Sequence, residues 1–270
     1  MGARELTAFA LLPFIIAGIV LLPPWVYLAA IWLVALAAAW ELLGMFRRLG
    51  HPVMAPAAVA GIAAALPAIW LTGLAGAGTV LAVLVVAVPT LYLLAGRPLQ
   101  GAAAGISGTT FSTVYIVVTA AAMGLLRTVP GTPLGWKLVL LTCLCIWGGD
   151  SGAYYLGSRF GRHRMSPRVS PKKSWEGAAG GVLGTFFGLW ICHTVFFPEL
   201  GLRLALVLGA LLSVVAPVGD LVESMFKRDA GVKDSSALIP GHGGFLDRTD
   251  SLFFAAPFVL AAFLLLGVAP

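Results

Sequence analysis

The chain has 270 residues, 60% of them hydrophobic and only 10% charged, with a mean hydropathy of +0.98. Soluble domains carry about 25% charged residues and disordered chains are poor in apolar ones, so both classes are excluded. The 17 basic and 11 acidic residues leave a net +6, but so apolar a chain cannot present a broad basic face to nucleic acid. Cys143, Cys145 and Cys192 lie in apolar runs without Cys-x-x-Cys spacing, which indicates neither a disulfide framework nor a zinc site.

What remains is an all-α integral membrane protein, since about 20 apolar residues in helical form cross the hydrocarbon. Residues 6–40 contain no charge, and Pro23-Pro24 divides them into two spans, the second running past Glu41 to about Phe46. An apolar run leading straight into another fits a hairpin better than a cleaved leader. Residues 49–96 carry only His51 and hold a third and a fourth span, parted between Gly73 and Gly78. A fifth lies within 98–126, starting near Thr110 after a small-residue stretch, and a sixth runs from about Gly135 to Leu156 and contains Asp150. Residues 177–198, Leu200 to Lys227 and 251–270 supply the seventh, eighth and ninth. Nine spans put 14 of the 17 Lys and Arg on one side and only Arg127, Lys137 and Arg203 on the other. By the positive-inside rule the N-terminus and the polar loops are then cytoplasmic. The expected fold is a polytopic helical bundle in the inner membrane. Gly180, Gly184 and Gly188 make a smooth face on the seventh helix, read as packing within the protomer in preference to a dimer contact.

Charge is uneven. Residues 150–250 hold nine of the 11 carboxylates and 11 of the 17 basic residues, whereas the first 149 hold only Glu5 and Glu41 as acids. Residues 1–130 therefore read as a transmembrane scaffold. Residues 131–270 read as the catalytic region, with cytoplasmic loops at 158–175 and 227–248.

Within that region Asp220, Glu223, Ser224 and Lys227 share one helical face by spacing. Lipid offers such a stripe no partner, so it faces protein or a water-filled cavity; a helix-end salt bridge to Lys227 is the plainer alternative. Pro240 through Gly244 form a tight glycine turn containing His242, where backbone can approach an anion. Asp247 and Asp250 follow at the start of the ninth helix, a position that also suits carboxylates through the helix dipole. Asp150 lies beside Gly148-Gly149 inside an apolar span. Lys172, Lys173 and Ser174 precede a helix start, as in an anion site or as an anchor drawn to anionic lipid.

Carboxylates without histidine or thiolate neighbours favour a hard cation such as Mg²⁺, bound with substrate phosphates. Clustered Lys and Arg point to a polyphosphate, and the membrane depth points to a lipid. Phosphoryl or nucleotidyl transfer uses all three. A transporter with intramembrane carboxylates is the competing class, but its sites lie near the midplane and an inverted repeat is expected.

The run Ser224-x-Phe226-Lys227-Arg228-x4-Lys233-Asp234-x-Ser236-x2-Ile239-Pro240-x-His242-Gly243-Gly244-Phe245-x-Asp247-Arg248-Thr249-Asp250 resembles the signature of the phosphatidate cytidylyltransferase (CDP-diacylglycerol synthase) family at every specified position. Asp150-x-x-Ala153-Tyr154 and Ser170-Pro171-Lys172-Lys173-Ser174-x-Glu176-Gly177 are similar to that family as well. The resemblance implies that CTP and phosphatidate give CDP-diacylglycerol and pyrophosphate with Mg²⁺, in a homodimer, with metal-binding carboxylates at Asp220 and Asp247. Beside that pair, Asp250, Glu223 and Asp150 are expected as further ligands or orienters. Lys227, Arg228, Lys233, Arg248 and Lys173 would neutralise phosphates, and Lys172, Ser174, Ser224, His242, Gly243 and Gly244 would contact substrate. A phosphate monoester has its second pKa near 6, so no general base is required. A CTP-using lipid kinase, releasing CDP, is the nearest alternative chemistry.

Overall fold

The computed structural model describes residues 3–128, 134–239, 241 and 243–266. Among them are α1 (Ala3–Leu21), α2 (Pro24–Arg48), α3 (Ala55–Thr72), α4 (Leu74–Leu94), α5 (Ala102–Thr128), α6 (Leu134–Phe160), β1 (Arg164–Ser166), β2 (Ser170–Ser174), α7 (Trp175–Val195), α8 (Leu202–Asp229) and α9 (Leu246–Leu266). All of these helices except α1 and α6 are long and apolar enough to cross a membrane, so this is a multi-pass, all-α membrane protein. The chain forms two compact units. One comprises Met1–Leu22, Leu126–Met225 and Asp250–Pro270; the other comprises Pro23–Leu125 and Phe226–Thr249.

In the first unit α6 and α7 lie against each other through glycine. A Cβ on Gly148 would stand 2.5 Å from the Gly184 carbonyl oxygen, one on Gly180 2.5 Å from that of Gly152, and one on Gly188 2.7 Å from that of Leu144. The smooth face expected on the seventh helix therefore packs within the protomer. In lipid, where apolar side chains gain nothing by leaving their surroundings, such close backbone contact is what binds helices. Ser174 caps α7, its Oγ accepting from the Gly177 N–H at 3.1 Å. Ahead of that cap the chain makes a short antiparallel hairpin, β1 with β2, pairing Arg164 with Ser174 and Ser166 with Ser170. The Glu176 carboxylate holds its base, accepting from the backbone N–H of Arg162 at 3.1 Å and of His163 at 3.2 Å, with His163 Nδ1 at 2.6 Å. This ordered hairpin stands where a plain loop is expected from sequence. Arg127 Nη2 donates to the Leu22 carbonyl at the end of α1 at 3.2 Å.

In the second unit Pro24 opens α2, where its missing N–H costs nothing. Gly73, at φ +65°, separates α3 from α4. Helix α5 starts at Ala102, eight residues before the expected Thr110. The intervening small residues are what allow it: a Cβ on Gly105 would stand 2.7 Å from the Pro52 carbonyl, and one on Gly108 2.9 Å from the Phe46 ring. The Phe226 ring lies 6.0 Å from that of Phe46 and 5.2 Å from that of Phe111, which seats the segment from Phe226 onward on α2 and α5.

Candidate active site

The first unit gathers three carboxylates. Asp220 and Glu223 of α8 and Asp250 of α9 each offer an oxygen within 4.8 Å of the others. Gly219 makes this possible, because a Cβ there would meet the Asp250 carbonyl oxygen at 3.2 Å and the Phe254 Cβ at 2.7 Å. Only a residue without a side chain lets α8 and α9 approach this closely. Glu223 is buried, and the other two are half-buried. Two negative charges 4 Å apart repel by about 4 kcal/mol at an effective dielectric of 20, so three together call for cationic compensation. Lys173 supplies part of it, its Nζ 2.7 Å from Asp220 Oδ2 and 3.2 Å from the Pro217 carbonyl oxygen. Ser224 Oγ donates to Asp220 Oδ1 at 3.2 Å. Three carboxylates offering only oxygen match the ligand preference of Mg²⁺. Asp150 is exposed on α6, and its electrostatic partners include Asp220 and Lys173.

The second unit holds Asp247 in a different setting. Its Oδ1 accepts from Lys227 Nζ at 2.7 Å, and its Oδ2 from the backbone N–H groups of Ser235 and Gly244, each at 2.8 Å. Ser235 Oγ lies 2.6 Å from the same Oδ2. The Gly244 contact ties the turn ahead of α9 to its first turn, where Asp247 accepts from an N–H three residues back. Lys227 and Asp247 are nearly inaccessible, their side chains 10% and 5% exposed.

A second buried carboxylate completes this arrangement. Glu41 of α2 accepts from Ser236 Oγ at 2.7 Å and the Phe245 N–H at 3.1 Å through Oε1. Through Oε2 it accepts from Ser235 Oγ at 2.9 Å and the Leu246 N–H at 2.8 Å. A helix start leaves its first N–H groups without partners; here Asp247 and Glu41 take those of Gly244, Phe245 and Leu246. The glycine turn thus directs these amides at protein carboxylates.

The expected residues fall out as follows. Asp220, Glu223, Ser224, Asp250 and Lys173 lie together in the first unit, and Lys227, Asp247 and Gly244 in the second. Gly243, at φ +78°, accepts from the Ile239 N–H at 2.9 Å through its carbonyl. Lys172 is exposed on β2, and Ser174 is buried as the α7 cap. Arg228 is exposed, with Nη1 3.2 Å from the Val232 carbonyl oxygen; Lys233 and Arg248 are exposed as well. His242 lies outside the described residues. Sequence reasoning missed Glu41, Ser235, and the link between Ser236 and Glu41. The signal is present: a lone carboxylate in an otherwise uncharged apolar run marks a functional position by default, yet the run as a whole reads as scaffold.

Comparison with known proteins agrees with the motif. The sequence profile of the cytidylyltransferase family matches residues 2–266. A protein of Pseudomonas aeruginosa named phosphatidate cytidylyltransferase is 39% identical over 266 residues, 97% of this chain and 96% of that one. One of the same name from Mycobacterium bovis is 32% identical over 272 residues, 95% of this chain and 85% of that one. One from Haemophilus influenzae is 44% identical over 128 residues, 46% of this chain and 44% of that one.

Proposed function

This chain belongs to the cytidylyltransferase family, and from that premise we propose that it is a phosphatidate cytidylyltransferase, forming CDP-diacylglycerol from CTP and phosphatidate. The observation that carries the reading is the set of three carboxylates at Asp220, Glu223 and Asp250, flanked by Lys173, in a chain related over nearly its whole length to proteins of that name.

A phosphate oxygen of phosphatidate attacks the α-phosphorus of CTP, the bond from that phosphorus to the bridging oxygen breaks, and pyrophosphate leaves. With a second pKa near 6, the lipid phosphate is largely ionised at neutral pH, so no side chain has to remove a proton. The barrier is repulsion between anions. Mg²⁺ held by Asp220, Glu223 and Asp250 would neutralise triphosphate charge and stabilise the departing pyrophosphate. Lys173 holds Asp220 in place and adds a positive charge, and Ser224 fixes the other Asp220 oxygen. Asp150 orients Lys173. Arg228, Lys233 and Arg248, all exposed, provide cations for phosphate oxygens, Lys227 adds its charge from behind them while paired with Asp247, Lys172 adds one on the hairpin, and Ser174 fixes the hairpin to α7. Asp247 orients Lys227 and takes the N–H groups of Ser235 and Gly244, and His242 would contact substrate.

The bundle crosses a bacterial inner membrane nine times with its N-terminus in the cytoplasm, because that arrangement leaves 14 of 17 basic residues inside. The active site faces the cytoplasm, where CTP is made, and two copies form a homodimer. The deciding experiment incubates purified protein with CTP, phosphatidate micelles and Mg²⁺ and identifies the by-product. Phosphatidate-dependent release of pyrophosphate supports the reading. Release of CDP assigns a lipid kinase instead, and no release returns the chain to the transporter class.

A further inference from the structure

We propose that Glu41 is a positioning residue that fixes Ser235, Ser236, Phe245 and Leu246 for binding the triphosphate of CTP, acting through Ser235, Asp247 and Lys227 without touching the reacting atoms. The inference rests on the cytidylyltransferase reading for its substrate, but its geometry is independent of it. Glu41 is 3% exposed, and it lies about 200 positions from the residues that it holds. A buried carboxylate is tolerated only when its oxygens are satisfied, and here two backbone N–H groups and the Ser236 hydroxyl donate to it, with the Ser235 hydroxyl shared between it and Asp247.

The donors are arranged so that only a carboxylate serves. Each oxygen faces one hydroxyl and one backbone N–H: Ser236 and Phe245 at Oε1, Ser235 and Leu246 at Oε2. A hydroxyl can reverse and accept, but a backbone N–H cannot. In a glutamine, whichever way the amide turns, its NH₂ would meet a backbone N–H. Aspartate would fall short by one methylene. Gly244 fits the same logic, since a Cβ there would press on both Glu41 oxygens, at 2.5 Å from Oε1, and on Ser235 Oγ. The glycine in the motif therefore makes room for a side chain from α2.

From Glu41 the order passes along a connected path. Ser235 Oγ stands 2.9 Å from Glu41 Oε2 and 2.6 Å from Asp247 Oδ2, and the Ser235 N–H donates to that Asp247 oxygen at 2.8 Å. Asp247 Oδ1 in turn holds the Lys227 ammonium at 2.7 Å. Without Glu41, Ser235 and the start of α9 lose their anchor, and Lys227 loses the fixed carboxylate that aims it.

The test compares Glu41→Gln with wild type in detergent micelles, measuring KM for CTP, KM for phosphatidate, kcat, and exchange of the Phe245 and Leu246 amides. We expect KM for CTP to rise about 10- to 100-fold, as when a supporting hydrogen-bond partner is removed from a binding site. KM for phosphatidate should stay within about twofold, and the two amides should lose protection. A contact that merely stabilises the bundle would lower the active fraction, and so kcat, leaving both KM values and the exchange pattern alone; that result overturns the proposal. Ser236→Ala guards against misfolding, since it removes one donor and leaves both amides satisfied. It should raise KM for CTP a few-fold, and an unchanged value counts against the proposal. Wild-type turnover judges the reading of the enzyme, while the ratio of variant to wild type judges Glu41.

Discussion

The glycine seam between α6 and α7 makes a matched prediction from adjacent residues. A Cβ at Gly180 would lie 2.5 Å from the Gly152 carbonyl oxygen and 2.7 Å from the Leu156 Cβ. At Gly181 the nearest atoms would be 3.4 and 3.5 Å away. A carbon and a carbonyl oxygen need about 3.3 Å, so Gly180→Ala must part the helices by nearly an ångström, whereas Gly181→Ala needs no movement. Overpacking of a tight interface costs about 1–3 kcal/mol, and the weaker dispersion attraction along the parted seam adds to it. Helix α6 carries Asp150, and α7 follows directly on Lys172 and Lys173, so displacement should also lower activity. Unfolding of the purified protein by a graded increase of denaturing detergent provides the assay. Gly180→Ala should unfold at clearly lower detergent fraction, with Gly181→Ala near wild type. Equal stability of the two variants would refute the argument that close backbone packing holds this pair of helices together.

Three further expectations follow from the site and its surroundings. Asp220→Asn, Glu223→Gln and Asp250→Asn should each weaken Mg²⁺ binding and lower turnover by at least about tenfold; titration of the cation into each variant checks this, and a variant with wild-type affinity removes that residue from the ligand set. Asp247→Ala strips the acceptor from the Lys227 ammonium and from the N–H groups of Ser235 and Gly244, so it should cost about 3–5 kcal/mol. Lys227→Met leaves Asp247 with its Ser235 and Gly244 donors and should cost only about 1–3 kcal/mol; detergent unfolding of both variants reports the asymmetry. Between α7 and α8, Glu199 meets the Lys137 ammonium at the start of α6, which holds its carboxyl below the usual 4.5. A depressed carboxylate pKa stabilises the fold above the unfolded value and ceases to do so as pH falls through the folded one. Lys137→Met should therefore cost less than about 1 kcal/mol near neutrality, given the exposure of the pair, and nothing measurable well below pH 4.5. A loss that persists in acid would mean that Lys137 acts by packing.

Much of the architecture was legible because charge is so costly in lipid. The charge-free runs located the helices to within a few residues, and Pro23-Pro24 and Gly73 marked two of the breaks. Boundaries failed where side chains are small. Ala102 through Gly108 read as a linker, but they are the part of α5 that needs small residues to pass Pro52 and Phe46. Helix α9 begins at Leu246, with Asp247 in its first turn as its carboxylate suggests, and Asp247 and Glu41 take the N–H groups of Gly244 and Leu246. Of the site, the spacing of Asp220 and Glu223 gave one face of α8. That Asp250 joins them depends on the approach of two helices at Gly219, which no local pattern encodes. Glu41 stands out in the sequence only as a lone acid in an apolar run; its four partners lie about 200 residues away, so no spacing ties it to them.

If Asp220, Glu223 and Asp250 hold the cation that lets phosphatidate attack CTP, each of them must be needed for the response to Mg²⁺. Transfer of label from the α-phosphate of CTP into lipid, followed across a Mg²⁺ titration for wild type and Glu223→Gln, tests it most directly. Wild type should label lipid only with Mg²⁺, and the Glu223→Gln response should be displaced to higher cation or abolished while the protein stays folded. Superimposable Mg²⁺ curves for the two proteins would contradict it.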